Sequence, residues 1–273
     1  MQAHHLSERF QCQAHKSTIV TACAAGTQGI GDAFKAIRWG AADLMLAGGV
    51  EGAVSEIIIS AFTAMRVLAA DNENPAKACK PFDARRDGFA SAEGTAVMVL
   101  ERLDKALDRG ARIHAEVLGY SANSDAFHIA APDPTGAGAI RVMRWALKDA
   151  GISPSEVDYI NAHGPGTVVG DPTETKAIKA VFGEQAYRIP ISSTKSMVGH
   201  PLGGAGAIEA MACVQTIKEG VIHPTINLEV PDPQCDLDYV PNFARKADVR
   251  TTHSNSFGLG GQNACLVLRR YEE

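Results

Sequence analysis

Residues 17–39, Ser-Thr-Ile-Val-Thr-Ala-Cys-Ala-Ala-Gly-Thr-Gln-Gly-Ile-Gly-Asp-Ala-Phe-Lys-Ala-Ile-Arg-Trp, change character at one cysteine. Ser17–Ala22 is rich in β-branched residues and reads as a buried strand. Ala24–Trp39 reads as a helix, because Ile30, Phe34 and Ile37 recur at helical spacing. Cys23 therefore falls at a strand-to-helix turn, the place where α/β proteins gather their functional groups.

The same alternation continues outward. Asp43–Val50 and Thr95–Glu101 are short apolar strands, and a charged helix follows the second. Arg109-Gly110 is a helix stop and a half-boundary. Beyond it the cycle restarts with strands at His114–Ser121, Val157–Asn161 and Ile189–Ser193. Between and after them stand helices at Thr135–Ala150, closed by Gly151, at Pro172–Phe182 and at Gly203–Glu219. Ser254–Phe257 and Ala264–Leu268 are the last two strands. The pattern predicts an α/β fold in two parts, 1–109 and 110–273, the first with fewer elements than the second.

Bulk properties narrow the function. The chain has 273 residues, 45% hydrophobic and 21% charged, with a formal net charge of −5. That is globular composition without the long basic run of a nucleic-acid binder. No stretch approaches the roughly 18 apolar residues of a membrane-spanning helix. The first thirty residues carry His4, His5, Glu8, Arg9 and Lys16 and no apolar core, which argues against a secretory signal. The six cysteines show no CxxC spacing, so reduced thiols in a cytoplasmic setting are expected.

Four segments carry candidate chemistry. In Thr21-Ala22-Cys23-Ala24-Ala25-Gly26 small neighbours expose the sulfur, and a helix N-terminus favours its thiolate. A free thiol, with a pKa of about 8.5, is only ~3% ionised at pH 7; a shift to about 7 raises that to roughly half. A buried packing cysteine is the bland alternative. The others are Asn161-Ala162-His163-Gly164, Lys195-Ser196-Met197-Val198-Gly199-His200, and Asn255-Ser256-Phe257-Gly258-Leu259-Gly260-Gly261. A lone histidine is more often structural than catalytic, but these two each follow a predicted strand and adjoin glycine, which lets a ligand approach. Neither has a second ligand at metal spacing, so no metal is expected.

Together, a cysteine in TACAAG, a histidine in NAHG, a histidine in KSMVGH and a closing NSFGLGG resemble the elongating β-ketoacyl-[acyl-carrier-protein] synthases. Pro81-Phe82-Asp83-Ala84-Arg85-Arg86-Asp87-Gly88-Phe89 resembles that family's PFD…RDGF signature. The match runs in order along essentially the whole chain. It implies a thiolase-like fold, layered α-β-α-β-α, with mixed five-stranded sheets in strand order 3-2-1-4-5. On that plan the first half, 1–109, is incomplete: Ser17–Ala22 is its third strand, and the chain reads as N-terminally truncated.

The resemblance also implies roles. Cys23 is the nucleophile that takes the acyl group, and His163 and His200 steady the enolate formed when a malonyl thioester loses CO₂. The backbone N–H groups of Cys23 and Leu259 form the oxyanion hole. Lys195 and Glu209 pair to support the histidine loop, with Asp171 and Glu174 as further members; a surface ion pair is the alternative for the first two. Thr167 and Phe257 contact substrate, whereas Asp125 and His128 are loop residues. The implied protein is a cytoplasmic acyltransferase, a homodimer, without a cofactor of its own. Its acyl and malonyl groups arrive on the phosphopantetheine of an acyl carrier protein. Three departures stand out: Leu259 where many members carry a gating phenylalanine, Pro165 where a threonine bonds the pantetheine arm, and Pro201 after the second histidine. An inactive fragment or a non-catalytic chain-length-controlling subunit is one alternative, although such subunits lack the cysteine. A thiolase is another, although its triad differs.

Overall fold

The computed structural model describes residues 2–52 and 54–272. The first part runs α1 (Gln2–Arg9), α2 (Ala25–Arg38), β1 (Leu44–Glu51), α3 (Glu56–Ala64), β2 (Gly94–Glu101) and α4 (Leu103–Asp108). The second part begins with β3 (Glu116–Ser124), α5 (Ala137–Ala150), β4 (Tyr159–Asn161), α6 (Gly170–Phe182) and β5 (Ile191–Ser192). It continues with α7 (Lys195–Val198), α8 (Ala205–Glu219), the small ribbon β6 (Val221–Ile222) and β7 (Arg245–Lys246), then β8 (Thr251–Gly258) and β9 (Gln262–Arg269).

β1 and β2 form an antiparallel pair, registered from Leu44 opposite Glu101 to Glu51 opposite Gly94. The larger sheet has five strands in the order β3-β9-β8-β4-β5. β4 runs parallel to β5 and β8, while β9 is antiparallel to β3 and β8. Helices α2 and α8 lie between the two sheets, and α5 covers the outer face of the larger one with α6 beside it. Ile30, Ala33, Ala207, Ala210 and Leu266 fill the inner core; Val142, Met143, Ile178 and Val267 fill the outer one.

The expected strand order 3-2-1-4-5 is wrong. Counted along the second part, the strands lie 3-2-4-5-1. β8 and β9, joined by the tight Leu259–Gly261 turn where Gly260 and Gly261 have φ of +80° and +71°, are antiparallel neighbours in either order. The difference lies in β3: β4 and β8 bond directly to each other, which leaves β3 the free edge of β9.

Ser17–Ala22 is likewise not a strand. Val20 is 85% exposed, and no strand among the described residues pairs with the segment. β-propensity expresses packing against neighbouring strands, and without a ladder it makes no strand. α3 arises where the sequence suggested no element, because Glu-Ile-Ile-Ile-Ser-Ala-Phe lacks a clear helical period.

One buried group links this core to pH. His253 on β8 is fully buried beside Phe182, and burial pushes its pKa down to about 4. The folded chain therefore refuses a proton that the unfolded chain accepts. The stabilisation is complete above about 6.5, the ordinary histidine value, and is lost as pH falls toward 4. This single group is expected to remove about 3 kcal/mol over that window. Denaturant melts at pH 7.5 and 4.5 should show a smaller acid loss for His253→Leu than for the parent chain.

Candidate active site

The chain reaches Cys23 through Ala22, whose φ of +48° is left-handed, and turns through a 3-10 segment, Ala22–Ala24, into α2. This bend directs the thiol inward, where it is 6% exposed. His200 Nε2 lies 3.1 Å from Cys23 Sγ, although the residues are 177 positions apart. The backbone N–H groups of Leu259 and Cys23 also reach the sulfur. Burial pushes the thiol up to about 11, against the downward pull of Lys195 and those N–H groups. The thiolate expected from the helix N-terminus does not dominate: the loss of hydration outweighs the favourable field of the helix terminus.

His163 follows β4, and its ring stands edge-on to His200 with centroids 5.4 Å apart. Lys195 Nζ donates to the His163 carbonyl oxygen at 2.7 Å and lies 3.3 Å from His163 Nδ1. An ammonium only donates, so Nδ1 accepts and Nε2 carries the imidazole proton. Lys195 also forms a direct ion pair with Glu209 one element later, and both are buried. Burial, and then the Lys195 charge, hold both imidazoles well below the usual histidine range, so they are neutral near pH 7.

Two carboxylates on α6 grip the loop that bears His163. Glu174 accepts the N–H groups of His163 and Gly164 at 2.9 and 2.8 Å and the Asn255 amide at 3.0 Å. Asp171 accepts the N–H groups of Phe82, Gly166 and Thr167. Burial raises both carboxyl groups, and these backbone donors oppose the rise. The His200 loop is fastened to residues 90–92: His200 N donates to Ala90 O at 2.7 Å, and Ala92 N donates back to His200 O.

A cavity of about 280 Å³ opens onto this group. Cys23, His163, His200, Thr167, Phe257 and Leu259 all line it, so the structure brings the sequence-nominated residues around one space. Lys195 and Glu209 stand behind the wall. Asp125 is in the wall, held by Asn263, while the His128 side chain accepts N–H groups of Ala130 and Ala131 within its own loop. Sequence reasoning gave no role to Phe89, whose ring meets the edge of His200 at 5.1 Å. Arg86 was also passed over; it holds the Thr167 and Val168 carbonyls and Asp232. Both sit in the PFDARRDGF signature, which was visible in the sequence but carried no contact information. Among the described residues no group of three or more histidine, cysteine or carboxylate side chains is placed to hold a metal.

The Lys195–Glu209 pair yields a stability test. Removing one member of a buried ion pair leaves an uncompensated charge, at a cost of about 3–5 kcal/mol. Lys195→Met should show that loss in urea melts, and Lys195→Met with Glu209→Leu should recover much of it. Equal losses in the single and double variants would contradict a buried pair.

Known proteins resemble this chain throughout. Residues 1–106 match the domain description "Beta-ketoacyl synthase, N-terminal domain", and residues 114–229 match "Beta-ketoacyl synthase, C-terminal domain". A 3-oxoacyl-[acyl-carrier-protein] synthase 2 from Synechocystis is 51% identical over 93% of the chain, and one from Staphylococcus aureus is 49% identical over the same share. The chain spans 61% of the length of each. Among solved structures, a type II polyketide ketosynthase in complex with its acyl-carrier protein and bound to a hexaketide superposes with a TM-score of 0.95 at 41% identity. That match covers 99% of this chain and 66% of the other. A β-ketoacyl synthase from Burkholderia phymatum gives 0.94 at 40% identity, covering 99% of this chain and 65% of that one.

Proposed function

From the premise that this chain belongs to the β-ketoacyl synthase family, we propose that it catalyses decarboxylative Claisen condensation of a Cys23-bound acyl group with a malonyl thioester in fatty-acid or polyketide synthesis. The observation that carries this is the placement of one thiol and two neutral imidazoles around a single cavity. The same reading makes the protein a cytoplasmic homodimer that receives both substrates on an acyl carrier protein. A solved ketosynthase in complex with its carrier protein supports that partner.

The first half-reaction is acyl transfer. At a pKa of about 11 the Cys23 thiol is essentially un-ionised at pH 7, so its proton must leave as the bond forms. His200 Nε2, at 3.1 Å, takes it while the sulfur attacks the acyl thioester carbon. The tetrahedral oxyanion accepts from the N–H groups of Cys23 and Leu259. Its collapse expels the carrier thiolate, which recovers the proton from His200. His200 Nδ1 makes no hydrogen bond among the described residues, so neither tautomer of this ring is fixed. It can accept in this step and donate in the next.

The second half-reaction makes the carbon–carbon bond. The electron pair of the malonyl C–CO₂⁻ bond becomes the enolate as CO₂ departs. The developing charge on the thioester oxygen is met by the Nε2–H of His163 and of His200. Neutral donors suit this role, because a protonated imidazole would quench the carbanion. The enolate carbon attacks the Cys23 thioester, and the tetrahedral intermediate releases the β-ketoacyl product and a Cys23 thiolate that takes up one proton. Phe257 and Phe89, each edge-on to a histidine, keep that space dry.

Incubation with an acyl-carrier thioester followed by intact-mass measurement should show one acyl adduct at Cys23, absent in Cys23→Ala. His163→Ala should keep the adduct and lose malonyl decarboxylation by about 10²-fold or more. An unmodified Cys23 would instead favour a non-catalytic partner subunit, and retained decarboxylation would remove His163 from the mechanism.

A further inference from the structure

His223, between β6 and the loop that follows, takes no part in the chemistry above, yet it is the centre of a polar cluster. Its Nε2 lies 3.0 Å from Thr194 Oγ1, 3.2 Å from the Tyr159 hydroxyl and 3.4 Å from Asn161 Nδ2. Its Nδ1 lies 3.2 Å from the Pro224 carbonyl oxygen, which only accepts, so Nδ1 carries the proton and Nε2 is the acceptor. Ser192 Oγ joins the Tyr159 hydroxyl at 2.7 Å, and Asn161 Nδ2 donates to Thr194 Oγ1 at 2.8 Å.

These partners sit where it matters. Tyr159 and Asn161 are the first and last residues of β4, and His163 comes two positions later. Ser192 ends β5, and Thr194 directly precedes Lys195 and the loop to His200. The β4–β5 ladder itself pairs only two residues on each side, Ile160 with Ile191 and Asn161 with Ser192. A parallel ladder that short holds register weakly. Side chains meeting at one imidazole supply the rest of the restraint.

We infer that His223 is a positioning residue: as a neutral acceptor it locks the ends of β4 and β5 together, and so sets the spacing of His163 against Lys195 and the His200 loop. Protonation would turn Nε2 into a donor facing the Asn161 amide donor, breaking part of the cluster. The titratable groups facing it are few. Tyr159 approaches from β4, with Cys213 and Glu209 of α8 behind that tyrosine; β5 and its following turn present only hydroxyls. Burial keeps His223 below the ordinary histidine range, so the accepting form dominates near pH 7. The inference rests on the condensing-enzyme reading for its activity arm alone.

The test uses the full chain with 15N-labelled histidine, and the variants His223→Phe and His223→Gln. At pH 7.5 His223 should show the Nδ1–H tautomer. In His223→Phe the His163 ring resonances should move, and kcat for malonyl decarboxylation should fall about tenfold with KM changed by less than about twofold. His223→Gln, which keeps an acceptor without titrating, should restore kcat and flatten the acid limb of its pH profile. An Nε2–H tautomer in the parent chain would overturn the inference. So would unmoved His163 resonances, or a glutamine variant as impaired as phenylalanine. If His223→Phe fails to fold, the parent tautomer and the glutamine variant decide. If the parent chain does not decarboxylate malonyl thioester, the functional reading fails while the tautomer and resonance arms still judge the positioning role.

Discussion

The close crossing of α2 and α8 is the constraint on which the site depends. Cys23 enters α2 and His200 leads into α8, so the two meet only if the helix N-terminal ends nearly touch. Glycine permits this. A Cβ on Gly26 would come 2.7 Å from Ala207 N, and one on Gly206 would come 2.0 Å from Thr27 Oγ1. Backbone packed against backbone at that range leaves little room for adjustment. Thr27 and Ser256 add a buried hydroxyl contact at 2.7 Å, which ties the crossing to β8 and hence to the Leu259 turn. Thiol, imidazole and N–H donors are thus fixed by one packing event.

Burial then decides the protonation states. The same loss of hydration raises the Cys23 thiol and lowers His163 and His200. All three groups are neutral at rest, which fits chemistry that moves a proton and then creates an anion. Lys195 places a positive charge close to both rings, and the Glu209 carboxylate paired with it offsets that charge. A free cation in that place would favour the thiolate and, in the proposed condensation, draw the enolate away from its donors. The pair orients His163 while limiting that bias.

The sequence made much of this legible, for physical reasons. Glycine beside histidine, and small residues beside a cysteine, reflect close approach, and close approach is local enough to appear in a motif. Helix spans such as Ala137–Ala150 followed from periodicity and the Gly151 stop. Burial was not legible. Lys195 and Glu209 have the composition of a surface pair, and only their surroundings make them a buried one. The thiol pKa failed for the same reason, because it depends on how little water reaches residue 23. Ser17–Ala22 shows the reverse error: its β-branched residues promised a strand, but a strand exists only with a neighbour.

The strand order matters most for the site, and the motifs do not encode it. In the order 3-2-1-4-5, β3 would stand between β4 and β8. The His163 loop and the Leu259 turn would then be separated by a full strand, ~5 Å or more of sheet. In the observed order β4 and β8 are direct parallel neighbours, with Asn161 opposite Ser254. Both strands end at the same rim, and each continues into a loop facing Cys23. Asn255 reaches across to Glu174 there, joining the two loops through one carboxylate. The short Leu259–Gly261 turn that forces β9 beside β8 is the turn whose N–H points at the sulfur. The pairing of β8 with β9 and the N–H that meets the sulfur thus share a single tight turn, so a change that lengthened it would disturb both.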